Sequence, residues 1–166
     1  MPRVTITLAS HVHAPVQDVF KFVTAKDVLP KILLGYGPLP GVVSTSGNTG
    51  LWDVPGSFRI VHLKNGSSAR EELTDHQPPT YFAYRTSDFN SVLKYVVSQG
   101  RGQWWFTPDE QGTRVKWTYT FTARSWLTKP VLIVFVPLLW RGYMRGAMHQ
   151  IKAQTEQQQT VAQAST

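Results

Sequence analysis

The chain opens with an alternation of apolar and polar residues, the pattern of a strand that buries one face. Val4, Ile6 and Leu8 alternate with small or hydroxyl-bearing residues, which predicts an antiparallel strand over residues 3–13. Pro15 ends this pattern, and helical spacing of apolar residues follows up to about residue 25. A second short helix is predicted over residues 28–33, before a loop rich in Gly and Pro.

Residues 42–123 alternate extended runs with turn signals, which is typical of successive hairpins. Asn65-Gly66, the strongest of these signals, separates runs over residues 57–63 and 68–74. Another turn is predicted over residues 46–50. Further strands are predicted over residues 81–86, 92–106 and 114–123. This segment therefore predicts about six antiparallel strands in sequence.

The longest helix is predicted over residues 128–154, and its two halves differ in character. Val131 to Trp140 is apolar on all sides, which indicates burial in protein or lipid. The second half carries a basic stripe of Arg141, Arg145, His149 and Lys152, which should face water. Pro137 has no N–H to donate to the carbonyl of Ile133, so the helix should bend there.

Strands followed by a segregated helix predict an α+β fold, in which the last helix lies across the concave face of a curved sheet. With 166 residues the chain can bury a core as one domain, residues 1–154. The polar tail, residues 155–166, is predicted to fray. The N-terminus lacks the apolar stretch of a secretory signal, so a cytoplasmic location is expected.

Composition narrows the chemistry. The absence of Cys excludes disulfides and thiolate catalysis, and no dinucleotide, phosphate-loop or zinc-protease motif occurs, so no cofactor or metal is predicted. His11 and His13 share a strand face, but two imidazoles without a third ligand are weak evidence for a metal site. The formal net charge of +7 suits an acidic ligand, an anionic lipid surface or a solvated basic surface. The sequence contains no block of Lys and Arg residues of the kind that indicates nucleic-acid binding.

Three segments carry a resemblance to a known superfamily: APVQDVFKFV near the start, VPGSFRIVHLKNGSSAREEL in the middle and TRVKWTYTF before the last helix. With the order of elements, they resemble the START-like or SRPBCC superfamily, which includes the birch pollen allergen family, polyketide cyclases and dehydrases, and lipid-transfer START domains. The resemblance covers residues 4–152. It implies a helix-grip fold, in which a seven-stranded antiparallel sheet encloses an elongated apolar cavity with the C-terminal helix.

Strand alternation and the resemblance together predict the residues that face this cavity. On the strand over residues 114–121, Val115, Trp117, Tyr119 and Phe121 form the apolar face. The resemblance implies that Arg59 and Glu71 point inward on paired strands as a charge pair. The predicted ligand-binding residues are Arg59, Val61, Leu63, Glu71, Leu73, Phe82, Tyr84, Trp104, Trp117, Tyr119, Phe135, Leu139 and Tyr143; Phe106, Val131 and Leu138 are further candidates.

Three functions remain open from the sequence. The first is a module that binds a small hydrophobic or aromatic molecule, lipid- or polyketide-like. The second is an enzyme of cyclase or dehydratase type that uses the same cavity, with Glu71, Arg59 or Tyr84 handling protons. The third is contact with a membrane surface. The apolar run is too short to span a bilayer, so the helix would lie on the surface with its basic stripe toward the lipid head groups. The oligomeric state is not predicted.

Overall fold

The computed structural model describes residues 1–47 and 49–166. The chain forms a seven-stranded antiparallel sheet, with two short helices after the first strand and a long C-terminal helix, as the sequence predicts. The strands of the sheet follow the spatial order β1-β9-β8-β7-β6-β5-β4. Their bounds are β1 Arg3–Val12, β4 Val42–Ser46, β5 Phe58–Leu63, β6 Ser68–Gln77, β7 Tyr81–Ser87, β8 Val97–Asp109 and β9 Gly112–Ala123.

The alternation of apolar and polar residues in the sequence matches the alternation of buried and exposed side chains in the sheet. β1 pairs with β9 over its whole length, and Val4, Ile6 and Leu8 pack against the core from the sheet edge. On β9 the predicted apolar set, Val115, Trp117, Tyr119 and Phe121, is buried, while Arg114 and Lys116 are exposed. The concave face of the sheet is therefore the apolar face, because a strand places alternate side chains on opposite sides.

Two short segments differ from the prediction. The Gly- and Pro-rich loop contains a short hairpin of two strands with two residues each, β2 Gly35–Tyr36 and β3 Leu39–Pro40. Gly35 and Gly37 adopt positive φ, which allows the chain to reverse. The strand predicted from residue 92 begins instead at Val97. Val92–Tyr95 is a 3-10 helical turn, capped by the Ser91 hydroxyl, which accepts a hydrogen bond from the N–H of Leu93. The turn predicted over residues 46–50 includes Asn48, which lies outside the described residues.

Helices α1 Val16–Thr24 and α2 Leu29–Ile32 lie between β1 and β2. Phe20 of α1 contacts Phe106 and Phe82 of the sheet edge-on, with ring centroids 5.3 and 6.0 Å apart. The sheet is thus solidly packed at the end covered by α1.

The C-terminal helix consists of α3 Lys129–Phe135, a π-helical turn Val136–Trp140 and α4 Arg141–Ala164. The irregular turn contains Pro137, which cannot donate the regular bond, so the departure from α-helical hydrogen bonding occurs at the residue where the bend is predicted. α4 continues beyond the predicted end at Gln154. Thr155 is buried and donates its hydroxyl to the Ile151 carbonyl, and Glu156 accepts a bond from Lys152. These contacts explain the longer helix, whereas residues 160–166 are exposed.

Candidate functional site

A cavity of about 420 Å³ lies between the concave face of the sheet and the helical segment formed by α3 and the π-helical turn. Apolar side chains cover most of its wall. The helical side contributes Leu132, Phe135 and Leu139, and the sheet contributes Trp117 and Tyr119. This volume falls within the range of roughly 300–1,000 Å³ that is usual for small-molecule sites.

The register of the strands brings several polar groups of the site close together. Glu71 on β6 pairs with Thr86 on β7, Thr86 pairs with Gly100 on β8, and Gly100 pairs with Phe121 on β9. The Tyr119 hydroxyl donates to the Thr86 hydroxyl at 3.0 Å. Glu71, Thr86 and Tyr119 thus place polar groups of the cavity wall on β6, β7 and β9.

Glycines on β8 make room for two tyrosine rings of this wall. A Cβ atom added at Gly102 would overlap the ring of Tyr84, and one added at Gly100 would overlap the hydroxyl end of Tyr119. Gly102 also lies opposite Tyr84 in one pairing and Tyr119 in the next. These glycines thus accommodate side chains of neighbouring strands.

Arg59 and Glu71 form a buried ion pair, directly opposite each other on β5 and β6. Nε and Nη2 of Arg59 donate to Oε2 of Glu71 at 3.0 and 2.8 Å. The Arg59 guanidinium also lies over the Trp52 ring, 3.7 Å from its centroid. Oε1 of Glu71 accepts no hydrogen bond from the described residues, and Glu71 lines the cavity. One carboxylate oxygen is thereby left for a ligand.

Four buried N–H donors have no partner among the described residues. They belong to Trp52, Arg59, Trp117 and Trp140. Trp140 lines the cavity, Trp52 and Arg59 line a neighbouring space of about 20 Å³, and Trp117 lies between the two spaces. Since a buried donor without an acceptor costs about 1–3 kcal/mol, the two donors whose residues line the cavity, Trp117 and Trp140, favour a ligand that presents oxygen acceptors.

The tyrosines of the site are held in the neutral form. Burial raises the pKa of Tyr84 well above its ordinary value, and the negative charge of Glu71 raises it further. The pKa values of Tyr119 and Tyr143 are raised as well, chiefly by burial. At physiological pH these phenols can donate hydrogen bonds, but they are not bases.

The structure places nine of the thirteen predicted residues on the cavity wall: Val61, Leu63, Glu71, Tyr84, Trp117, Tyr119, Phe135, Leu139 and Tyr143. Arg59, Phe82 and Trp104 line the small neighbouring space instead. Leu73 is fully buried and lines neither space. These four side chains lie toward the packed end of the sheet, where the aromatic residues of β7, β8 and β9 stack on one another.

The three further candidates for the cavity wall occupy three different environments. Val131 lines the cavity, Phe106 is buried in the packed core and Leu138 points outward with 65% of its surface exposed. Leu138 is a wrong prediction with a physical reason. An all-apolar run does not show which of its sides meets the protein, and here one side meets solvent.

Several wall residues escape the sequence prediction. Ala69 and Thr86 could have been found by extending the alternation of Glu71 and Tyr84 by two residues. No such signal exists for Pro38, Leu39 and Val92, which belong to the short hairpin and the 3-10 turn. Exposed wall residues, among them Pro38, Asn65, Val92 and Val131, mark the mouth of the cavity.

His11 and His13 have protein partners. Nε2 of His11 lies 3.0 Å from the Asp109 carboxylate, which lowers the pKa of that carboxyl, and Nδ1 of His13 lies 3.2 Å from the Gln111 carbonyl. In residues 1–47 and 49–166 no group of three or more His, Cys, Asp or Glu side chains is arranged to hold a metal ion.

Comparison of the sequence with protein families finds a match over residues 3–156 to the family described as polyketide cyclase / dehydrase and lipid transport. The chain belongs to this family. Membership agrees with the resemblance to the START-like superfamily and with the helix-grip architecture. No curated protein is significantly similar to the chain in sequence.

Solved structures with the same fold come from several branches of the superfamily. The di-domain ARO/CYC StfQ from the steffimycin biosynthetic pathway matches with a TM-score of 0.70 and 17% identity, over 95% of this chain and 52% of StfQ. Norcoclaurine synthase from Thalictrum flavum matches with a TM-score of 0.66 and 11% identity, over 95% and 97% of the two chains. Ara h 8.0201 matches with a TM-score of 0.63 and 16% identity, over 93% and 98%. At these identities the likeness is one of fold.

Proposed function

We propose that the protein binds a small hydrophobic or aromatic molecule, lipid- or polyketide-like, that carries oxygen acceptors at one end. The observation that carries this proposal is the cavity of about 420 Å³, whose wall is mostly apolar with a few polar groups. Family membership supports it, because the family description includes both lipid transport and polyketide cyclisation.

The distribution of charge indicates how such a ligand lies. Its apolar body would contact Leu132, Phe135 and Leu139 on the helical side. Its oxygens would lie toward Tyr84 and Trp117, which offer a neutral hydroxyl and an unpartnered N–H. A ligand without oxygens would leave these donors unsatisfied, so we expect an alcohol, ketone or acid to bind more tightly than the matching hydrocarbon.

Native mass spectrometry of protein purified from its own host tests whether a small molecule is retained. In vitro, the probe is 1-anilinonaphthalene-8-sulfonate, which is aromatic and gains fluorescence in an apolar site. Ala69→Phe places a ring in the cavity and should weaken probe binding at least tenfold. The matched control, Ala153→Phe, adds the same ring on an exposed face of α4 and should not. Equal probe binding by both variants would contradict the assignment of the cavity.

A second candidate function is catalysis of cyclase or dehydratase type in the same cavity. The specific observation in its favour is that Glu71, whose Oε1 accepts no hydrogen bond from the described residues, and Tyr84, whose hydroxyl is neutral, both line the cavity. An aldol-type ring closure needs a base next to an acidic carbon and a donor to the oxygen on which negative charge develops. Glu71 and Tyr84 would serve as this base and donor.

Glu71→Gln separates the two functions, because it removes the base and keeps an oxygen acceptor for Arg59. With a linear poly-β-ketone as substrate, an enzyme would lose turnover in this variant while it retains binding. If wild-type protein binds the compound without converting it, the binding function alone stands.

A further inference from the structure

The outward side of α3 and the π-helical turn is apolar throughout. We call the exposed residues Pro130, Val131, Ile133, Val134, Pro137 and Leu138 the outer apolar face. The turn that precedes α3 adds Leu127, 90% exposed, and Trp126, 71% exposed. A contiguous apolar surface of this kind marks an interaction site on a water-soluble domain.

The same part of the chain carries the whole net charge of the protein. Seven of the 17 Lys and Arg residues and none of the ten Asp and Glu residues lie between Gln111 and Thr155. In the remainder of the chain the numbers of basic and acidic residues are equal. Arg124 and Lys129 precede the outer apolar face, and Arg141 and Arg145 follow it. Within residues 1–47 and 49–166, none of these four side chains pairs with a carboxylate.

We propose that the outer apolar face docks onto the surface of a membrane that contains anionic lipids. Apolar side chains with flanking cations match the two layers of such a surface, acyl chains beneath anionic head groups. Trp126 fits the boundary between these layers, because its indole ring is amphipathic and Lys129 lies 5.4 Å from the ring centroid. A second copy of the chain would bring like charges together and is disfavoured for the same reason.

The helix lies on the membrane and does not cross it. Residues 129–164 form a helix long and apolar enough to span by length and composition, and its most apolar window is only 33% buried in the protein. However, Leu132 and Val136 belong to the core, and Tyr143, Met144, Ala147 and Ile151 are buried against the rest of the domain. Spanning would remove the helix from the sheet that it covers, whereas surface docking uses only the side that the protein leaves free.

Docking in this orientation places the mouth of the cavity beside the lipid. Val131 belongs to the outer apolar face and also to the cavity wall. Val92, 78% exposed, lines the same mouth from the 3-10 turn. A hydrophobic molecule could thus pass between membrane and cavity without crossing water. This consequence rests on the proposed function, but docking itself does not.

Vesicle co-sedimentation tests the proposal with the full chain. The probes are phosphatidylcholine vesicles with and without 30% phosphatidylserine, at 50 and 500 mM NaCl. We expect binding to the anionic vesicles at 50 mM, much weaker binding at 500 mM because salt screens the attraction, and a blue shift of Trp126 fluorescence that Trp126→Phe abolishes. An adsorbed protein without the blue shift would overturn insertion of the apolar face.

Matched variants identify the surface. Leu127→Ser with Val134→Ser should reduce the partition coefficient at least tenfold, whereas Leu51→Ser with Val161→Ser changes exposed residues of the same types elsewhere and should leave it unchanged. Arg141→Gln with Arg145→Gln should reduce it by about fivefold per residue. The control with equal net charge, Lys21→Gln with Lys26→Gln, should have a much smaller effect. Both positions of each of the four variants are exposed, so the far-UV circular dichroism spectrum and the melting temperature should be unaffected.

Three further outcomes would overturn the proposal. The first is no binding to anionic vesicles at 50 mM NaCl. The second is an equal loss of binding in the Arg141/Arg145 and Lys21/Lys26 variants, which would indicate adsorption by net charge alone. The third is a stable dimer in light scattering that Leu127→Ser with Val134→Ser dissociates, which would assign the face to a second copy of the chain.

Discussion

Replacing Glu71 by Leu should destabilise the fold far more than a surface substitution. Arg59 is 2% exposed, and Glu71 is its carboxylate partner, with Nη2 to Oε2 at 2.8 Å. Leu at position 71 would leave the guanidinium buried without a counter-charge, although the Trp52 ring stays beneath it. Removing one partner of a buried pair costs about 3–5 kcal/mol, a large part of the stability of an ordinary domain.

Urea unfolding followed by circular dichroism measures this loss, and the next residue on β6 supplies the control. Glu72 lies on the outer face of the sheet, where its carboxylate contacts Arg70 at 3.4 Å and Arg85 at 3.3 Å. Glu72→Leu should cost no more than about 1 kcal/mol, because solvent screens these contacts. The double change Arg59→Met with Glu71→Leu removes both charges and should recover most of the loss.

The result that would refute this reasoning is a similar free energy of unfolding for Glu71→Leu and Glu72→Leu, since the two carboxylates would then not differ in burial. A double variant no more stable than Glu71→Leu would show that lost packing, and not an uncompensated charge, causes the effect. If the double variant is stable but no longer binds the anilinonaphthalene probe, the ion pair serves the ligand and not the fold.

Three further predictions concern packing, ionisation and the chain end. Gly102→Ala should cost about 1–3 kcal/mol by overpacking against the Tyr84 ring, whereas Gly146→Ala, which meets no atom within 4 Å on α4, should stabilise by about 0.5–1 kcal/mol. Both values come from thermal or urea unfolding, and equal effects would contradict the contact. The raised pKa values of Tyr84, Tyr119 and Tyr143 mean that the unfolded chain releases these protons first, so stability should fall as pH rises above about 10. Absorbance at 295 nm should show these three tyrosines ionising only on unfolding, and their titration in the native state would contradict it. Ending the chain after Thr160 should leave the melting temperature unchanged, whereas ending it after Gln154 should lower it through loss of buried Thr155; equal melting would place the domain end at Gln154.

Much of the architecture follows from the sequence, because strand alternation reports burial residue by residue. The inward set of β9 and the pairing of β5 with β6 both follow from period-two patterns around clear turn signals. The resemblance added the inward direction of Arg59 and Glu71, since Phe58 and Ile60 make β5 apolar on both faces. The pattern is silent where the backbone is irregular. For that reason the sequence predicts a strand over Val92–Tyr95, where a 3-10 turn forms, and a loop where the short hairpin at Gly35 forms.

The extent of the cavity does not follow from the sequence. Alternation shows that Leu73, Phe82 and Trp104 point inward, and the structure buries all three. Whether an inward side chain meets a ligand or another side chain depends on what covers it. At the end of the sheet where Phe20 packs onto Phe82 and Phe106, the space is filled by aromatic contacts. Further along the sheet the covering element is α3, which leaves a cavity.

The two parts of the C-terminal helix, on either side of the π-helical turn, therefore have different roles. α4 packs against β1, α1 and α2, and its residues Met144, Ala147 and Ile151 are almost completely buried. α3 covers the cavity with Leu132 and leaves its other side to solvent. Substitutions on the inner side of α4 should consequently change the free energy of unfolding, and those on the outer side of α3 should change membrane binding alone. A helix with one uniform role would show no such separation, so the two sets of variants test the division directly.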